Sequence, residues 1–291
     1  MQTITLGRTG LSVSRIALGG YPFGGLNRAN GWDPWSDEGR RTAIATVHRA
    51  IDLGVTYIDT APGYGNGNSE RLIGEVMKAR RHECVLATKV RWEGMDKPAT
   101  IASVHASLKR LQTDRLDLVQ FHGGMFTHAD YEHIVKGGAL EGLLELQQAG
   151  LVGHIGLTTE EPWTARPFMA HPEISMFQLA YNFIYQSAAR NVLNDAKAAD
   201  AGVVTMRTMT SGILQRAARI LAPGWQDAND IYEVCLKFVL SDSRVHAAIV
   251  GMRWPEEVER NVALVNGFQP AFDFAELPRM TADVYKAEDA E

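Results

Sequence analysis

The chain is poor in cysteine: Cys84 and Cys235 are the only two in 291 residues, far apart and in no motif. They read as buried free thiols in a reducing cytoplasm, so no disulfide and no metal site is expected. Charge of one sign is also missing. The formal net charge is −5, and no basic block occurs. That removes the electrostatic ground for nucleic acid or an anionic membrane as partner. No apolar run approaches the length needed to cross a bilayer. The opening Met1-Gln2-Thr3-Ile4 has neither a basic nor an apolar leader segment, so no signal peptide is expected. Linkers and low-complexity tracts are absent. No Gly-x-Gly-x-x-Gly stands between a strand and its helix, which argues against an open dinucleotide-binding sheet.

What is present is an α/β rhythm. Residues 3–13 alternate around a glycine-bounded turn, a hairpin pattern. Short apolar runs then alternate with helical patterns. Strands are expected at 16–18, 55–59, 85–89, 116–120, 154–157, 176–179, 203–206 and 247–250. Helices are expected from Ser36 to Gly54, over 69–79, from about Thr100, over 140–148, after Pro162, over 190–199, near Ile231 and over 255–265. Residues 27–35 read as a loop inserted after the first barrel strand. Eight strand–helix units in series predict a single α/β domain, a (β/α)8 TIM barrel with an N-terminal β-hairpin.

Barrel active sites lie at the C-terminal ends of the strands. Those ends carry Asp59 and, five residues on, Tyr64; then Lys89, His122, Thr158, Thr159 and Gln178. Taken singly, Asp59 reads as a helix cap, Lys89 as a solvated charge or a Schiff-base nucleophile, His122 as a hydrogen-bonded loop histidine, and Tyr64 as a packed aromatic. Together, four different polar types at the ends of three consecutive strands define a site.

The runs Tyr57-Ile58-Asp59-Thr60-Ala61-Pro62-Gly63-Tyr64-Gly65, Ala87-Thr88-Lys89, Gln120-Phe121-His122 and Gly153-His154-Ile155-Gly156-Leu157-Thr158 resemble, in this order, the signature of the aldo-keto reductases. The resemblance covers nearly the whole chain. It implies one NADP(H)-dependent oxidoreductase domain over 1–291, with Asp59, Tyr64, Lys89 and His122 as the catalytic tetrad. Tyr64 would be the proton donor, Lys89 would lower its pKa, Asp59 would hold Lys89, and His122 would orient the carbonyl.

The same resemblance implies that Gly20 and Tyr21 lie beside the nicotinamide and that Thr158, Thr159 and Gln178 hold its carboxamide. Many members carry Ser-Asn where this chain has Thr158-Thr159. Met206 takes the place of the usual stacking aromatic, and the neighbouring Arg207 either contacts the pyrophosphate or forms a plain salt bridge. Arg253 is the candidate 2′-phosphate clamp and Asn261 the adenine neighbour. Gly251 stands where many members have lysine, and Glu257 where many have arginine, which keeps NAD(H) open beside NADP(H). Trp92, Trp32, Trp35 and Phe126 are the candidate substrate walls, with loop packing as the other reading of each. The expected partner is a small carbonyl or sugar substrate, and the expected location is the cytoplasm. Other readings are an NAD-dependent sugar dehydrogenase, a lyase using Lys89 as Schiff base, and a regulatory binding subunit.

Overall fold

Strands buried on both faces need helices outside them, and here they close on themselves. The computed structural model describes residues 1–25, 31–224 and 230–276; of the expected 27–35 loop, residues 27–30 lie outside them. Strands β1 (Thr3–Thr5) and β2 (Ser12–Ser14) pair antiparallel, Thr3 opposite Ser14, as the N-terminal hairpin. Eight parallel strands then form a closed barrel: β3 (Ile16–Gly19), β4 (Tyr57–Asp59), β5 (Val85–Val90), β6 (Leu116–His122), β7 (Val152–Thr159), β8 (Ile174–Ala180), β9 (Gly202–Met206) and β10 (Ala247–Gly251). β10 closes the ring on β3, with Val250 opposite Leu18.

Alternation along these strands divides the interior into layers. Ala17, Tyr57, Ala87, Leu118, Met176, Val204 and Ala247 pack together inside the barrel, with Leu6 and Val13 of the hairpin segment closing the lower end. Two residues further along each strand, the same inward face presents Asp59, Lys89, Gln120, Thr158, Gln178 and Met206. An apolar floor thus lies beneath a polar layer. The outward faces form the main core with the helices, Ile58, Val119, Leu157 and Phe177 among them.

The described helices are α1 (Asp37–Asp52), α2 (Asn68–Arg80), α3 (Lys97–Leu111), α4 (His128–Lys136), α5 (Ala139–Gln148), α6 (Ser187–Asn191), α7 (Leu193–Ala198), α8 (Ile213–Leu221), α9 (Ile231–Leu240) and α10 (Pro255–Val265). Ser36 caps α1 by accepting from the Gly39 N–H, and Asp96 caps α3 by accepting from the Ala99 N–H. Two expected helices differ. The segment after Pro162 is 3-10, Pro162–Ala170, because Pro167 inside it has no N–H to donate. The helix expected over 190–199 begins earlier and breaks at Val192, which leaves helical dihedrals (φ −130°) with its side chain fully buried. No described helix is long and apolar enough to cross a membrane.

Candidate active site

The polar layer is built around one buried ion pair. Lys89 Nζ donates to Asp59 Oδ2 at 2.6 Å and to the Thr60 carbonyl at 2.8 Å, and neither charged side chain exceeds 2% exposure. Gln120 Nε2 donates to Asp59 Oδ1 at 3.1 Å, and Thr158 Oγ1 donates to Gln120 Oε1 at 2.7 Å. Four adjacent strands are tied by this one chain of bonds. Gln120 is the member sequence reasoning missed, although counting back two residues from His122 reaches it.

Tyr64 stands over this pair on the loop after β4. The Lys89 ammonium lies 5.0 Å from the centre of its ring, and the His122 ring meets it edge-on at 5.8 Å. Tyr21 flanks it at 5.3 Å. The loop is held against the one after β3 by two glycines. A Cβ on Gly24 would fall 2.6 Å from the Tyr64 carbonyl carbon, and Gly65 has φ +61° with no room for a side chain against Gly24.

Electrostatics assign the protonation states. Burial alone would lower the Lys89 pKa, but the Asp59 carboxylate and Tyr64 reverse this and raise it, so Lys89 stays cationic. Burial raises Asp59, with Lys89 and Gln120 pulling against it. Tyr64 is raised: burial outweighs the downward pull of the Lys89 charge, and Asp59 adds to the rise. The expectation of a lowered tyrosine pKa is thereby corrected, because desolvation of a phenolate exceeds the attraction of an ammonium already neutralised by a carboxylate. The tyrosine keeps its proton, as an acid must before it donates. His122 is pushed down to about 3 by burial, then by the charges of Lys89 and Arg91. It is a neutral imidazole across the physiological range.

Two consequences of the His122 shift are measurable. Turnover should show no limb near pH 6.5; such a limb, abolished in His122→Gln, would contradict a neutral imidazole. Stability should fall as pH drops from about 6.5 towards 3, because the unfolded chain protonates His122 in that window and the folded one does not. The His122→Gln variant should lose part of that slope in acid unfolding.

Gln178 Oε1 is buried with no hydrogen-bond partner, while its Nε2 lies 3.8 Å from Met206 Sδ. An unpaired buried acceptor beside Thr158, across the β7–β8 register, fits a carboxamide N–H. The donor set at this end of the barrel therefore suits a nicotinamide. Gly20 is fixed there by its N–H to the Asp59 carbonyl and by the Ser69 hydroxyl on its own carbonyl.

Other expected residues lie elsewhere. Thr159 faces away from Thr158, and its hydroxyl bonds the Gly124 and Glu161 carbonyls and Thr164. Trp32 is buried against Phe23 and Trp254, donating to the Pro22 carbonyl at 2.8 Å. Phe126 is buried against Trp92 and Phe168. Neither is left free to line an open pocket, whereas Trp35 is half exposed and Trp92 partly so. Arg207 forms the salt bridge that was one of its two readings, to Glu160, with Ser211 at 3.0 Å. Glu257 accepts from the Arg253 backbone N–H at 2.5 Å and lies 3.6 Å from its guanidinium. Arg253 Nε is buried and unpaired. Gly251 lies against Pro22, where a Cβ would come within 3.0 Å. Asn261 is buried on α10.

Comparison with known proteins gives the family. A model of the Aldo/keto reductase family matches residues 15–277. The chain is similar to aldo-keto reductase YhdN of Bacillus subtilis, 31% identical over 209 residues, which are 68% of this chain and 59% of that protein. It is similar to the NADH-specific methylglyoxal reductase of Escherichia coli, 26% identical over 316 residues, covering 91% of this chain and 94% of that one. Among solved structures, the aldo-keto reductase from Klebsiella pneumoniae in complex with NADPH has the same fold, with a TM-score of 0.77 at 21% identity, covering 96% and 94%. With its barrel closed and a match extending over most of its length, the chain belongs to the aldo/keto reductase family, oxidoreductases that interconvert a carbonyl and its alcohol with a nicotinamide cofactor.

Proposed function

We propose that residues 1–291 form one NADP(H)-dependent carbonyl reductase domain with Tyr64 as its general acid. The observation that carries this reading is the fully buried Asp59–Lys89 pair beneath Tyr64, with a neutral His122 edge-on beside it. Bound nicotinamide supplies the hydride. The chain supplies the proton and the position. The protonated ring nitrogen of His122 donates to the carbonyl oxygen and holds it near the Tyr64 hydroxyl. Tyr64 gives its proton to that oxygen as charge develops there. The phenolate left behind is stabilised by the Lys89 ammonium, which Asp59 and the Thr60 carbonyl keep aimed. In the alcohol-oxidising direction Tyr64 acts as base by the same path.

Gly20, Tyr21, Thr158, Gln178 and Met206 are the residues we assign to the nicotinamide end, and Arg253 with Asn261 to the adenosine end. A lyase using Lys89 as nucleophile is disfavoured, since a lysine held cationic by a carboxylate is not a free amine. A regulatory subunit has no need of a complete proton-transfer set. The cytoplasm and a small-molecule substrate agree with a net charge of −5 and no basic block.

A second reading, an NAD-dependent sugar dehydrogenase, is favoured by one observation: the Glu257 carboxylate is held on the Arg253 backbone N–H, 3.6 Å from its guanidinium. A carboxylate there competes with a 2′-phosphate. Its likeness to an NADH-specific enzyme points the same way. Titration of protein fluorescence with NADPH and NADH separates the readings. Arg253→Ala should weaken NADPH by roughly tenfold or more, as expected for a lost charge-assisted contact, and leave NADH nearly unchanged. Glu257→Gln should strengthen NADPH. Equal effects on both nucleotides would discard the clamp, and binding of neither would discard the oxidoreductase reading.

A further inference from the structure

The mouth of the barrel holds a cation that the proton transfer described above does not use. Lys89 on β5 stands in register with Gln120 on β6, and both face inward around Asp59. β5 ends at Val90, opposite Phe121, so Arg91 is the next residue beyond that pair on one strand as His122 is on the other, at the end of β6 nearer the opening. The Arg91 charge reaches the His122 ring, where it helps keep the imidazole neutral.

Arg91 is free to bind something. Its side chain is 74% exposed, and its ionic neighbour is Glu93 at 3.6 Å, beyond hydrogen-bond reach. Arg166 and Arg207, also on segments that follow strands at this end, are engaged, with Asp195 and with Glu160 and Ser211, and Arg253, 3.6 Å from Glu257, is only 14% exposed. An unsatisfied planar fork therefore stands next to the imidazole that receives the carbonyl oxygen. A guanidinium matches a carboxylate with two parallel N–H···O bonds, and a loosely paired one gives up little to do so.

We propose that Arg91 is a specificity-determining residue that selects carbonyl substrates bearing a carboxylate. This rests on the carbonyl-reductase reading of the same site. The substrate carboxylate takes the face of the fork that Glu93 does not hold, and its carbonyl oxygen turns to His122 and Tyr64.

The test compares 2-, 3- and 4-carboxybenzaldehyde with benzaldehyde, a series that moves the carboxylate around the ring. Wild type, Arg91→Met and Arg91→Lys are assayed as full-length protein with saturating nucleotide. In wild type at least one acid should exceed benzaldehyde in kcat/KM. In Arg91→Met that advantage should fall by about tenfold, through KM, with benzaldehyde within about twofold of wild type. Arg91→Lys should keep part of it, since charge remains without the fork. A change by one common factor for all four aldehydes, or none for any, overturns the proposal while the carbonyl-reductase reading stands. If wild type reduces none of the four with either nucleotide, that reading fails and this one falls with it. Unfolding midpoints equal to wild type confirm that an exposed side chain, not the fold, was changed.

Discussion

Tyr64→Phe is expected to lower turnover by roughly 10²–10⁴-fold, the range of a lost general acid, while nucleotide affinity stays within about twofold. The phenyl ring keeps the edge contacts with His122 and Tyr21, so the loop pinned by Gly24 and Gly65 should not move. The hydroxyl alone is removed, and with it the proton. Steady-state rates and a fluorescence titration on the same preparation read the two effects. A parallel loss of rate and nucleotide affinity would make Tyr64 a binding residue instead.

Lys89→Met should act on stability and chemistry at once. Removing one partner of a fully buried pair leaves the Asp59 carboxylate without its counter-charge, a change that costs about 3–5 kcal/mol in comparable settings. Asp59 would escape by taking up a proton, which also removes the acceptor of the Gln120 bond's charge. Turnover should fall at least as far as in Tyr64→Phe, because the developing phenolate loses its ammonium. The double change Asp59→Asn with Lys89→Met should recover most of the stability, since no unpaired charge remains, yet recover no turnover. Urea unfolding of the three proteins beside wild type decides it. An unchanged midpoint in Lys89→Met would show that water reaches the pair.

Much of this could be read from the chain, for definite reasons. The barrel strands are short apolar runs bounded by turn residues, so each expected strand overlaps an observed one. Asp59, Tyr64, Lys89 and His122 were legible because a barrel brings all its strand ends to one rim. What could not be read depended on distances across strands. Gln120 joins the site through register between β5, β6 and β4, and no single segment displays that. The sign of the Tyr64 shift turns on burial against a charge already paired. Trp32 and Phe126 are aromatic residues in loops, and only packing tells a wall from a filler. Helix α4 is not legible in the chain because its one buried residue, Ile134, leaves no apolar stripe. The break at Val192 and the 3-10 segment around Pro167 are local geometry overruling a helical pattern.

The hairpin has a consequence for traffic. With Leu6 and Val13 stoppering the lower end of the stave ring beneath an apolar floor, the molecule is a cup rather than a pipe. Hydride donor and acceptor share a single doorway. His122, Thr158 and Gln178 stand opposite one another across β6, β7 and β8, so a molecule held by any of them comes and goes through that same opening.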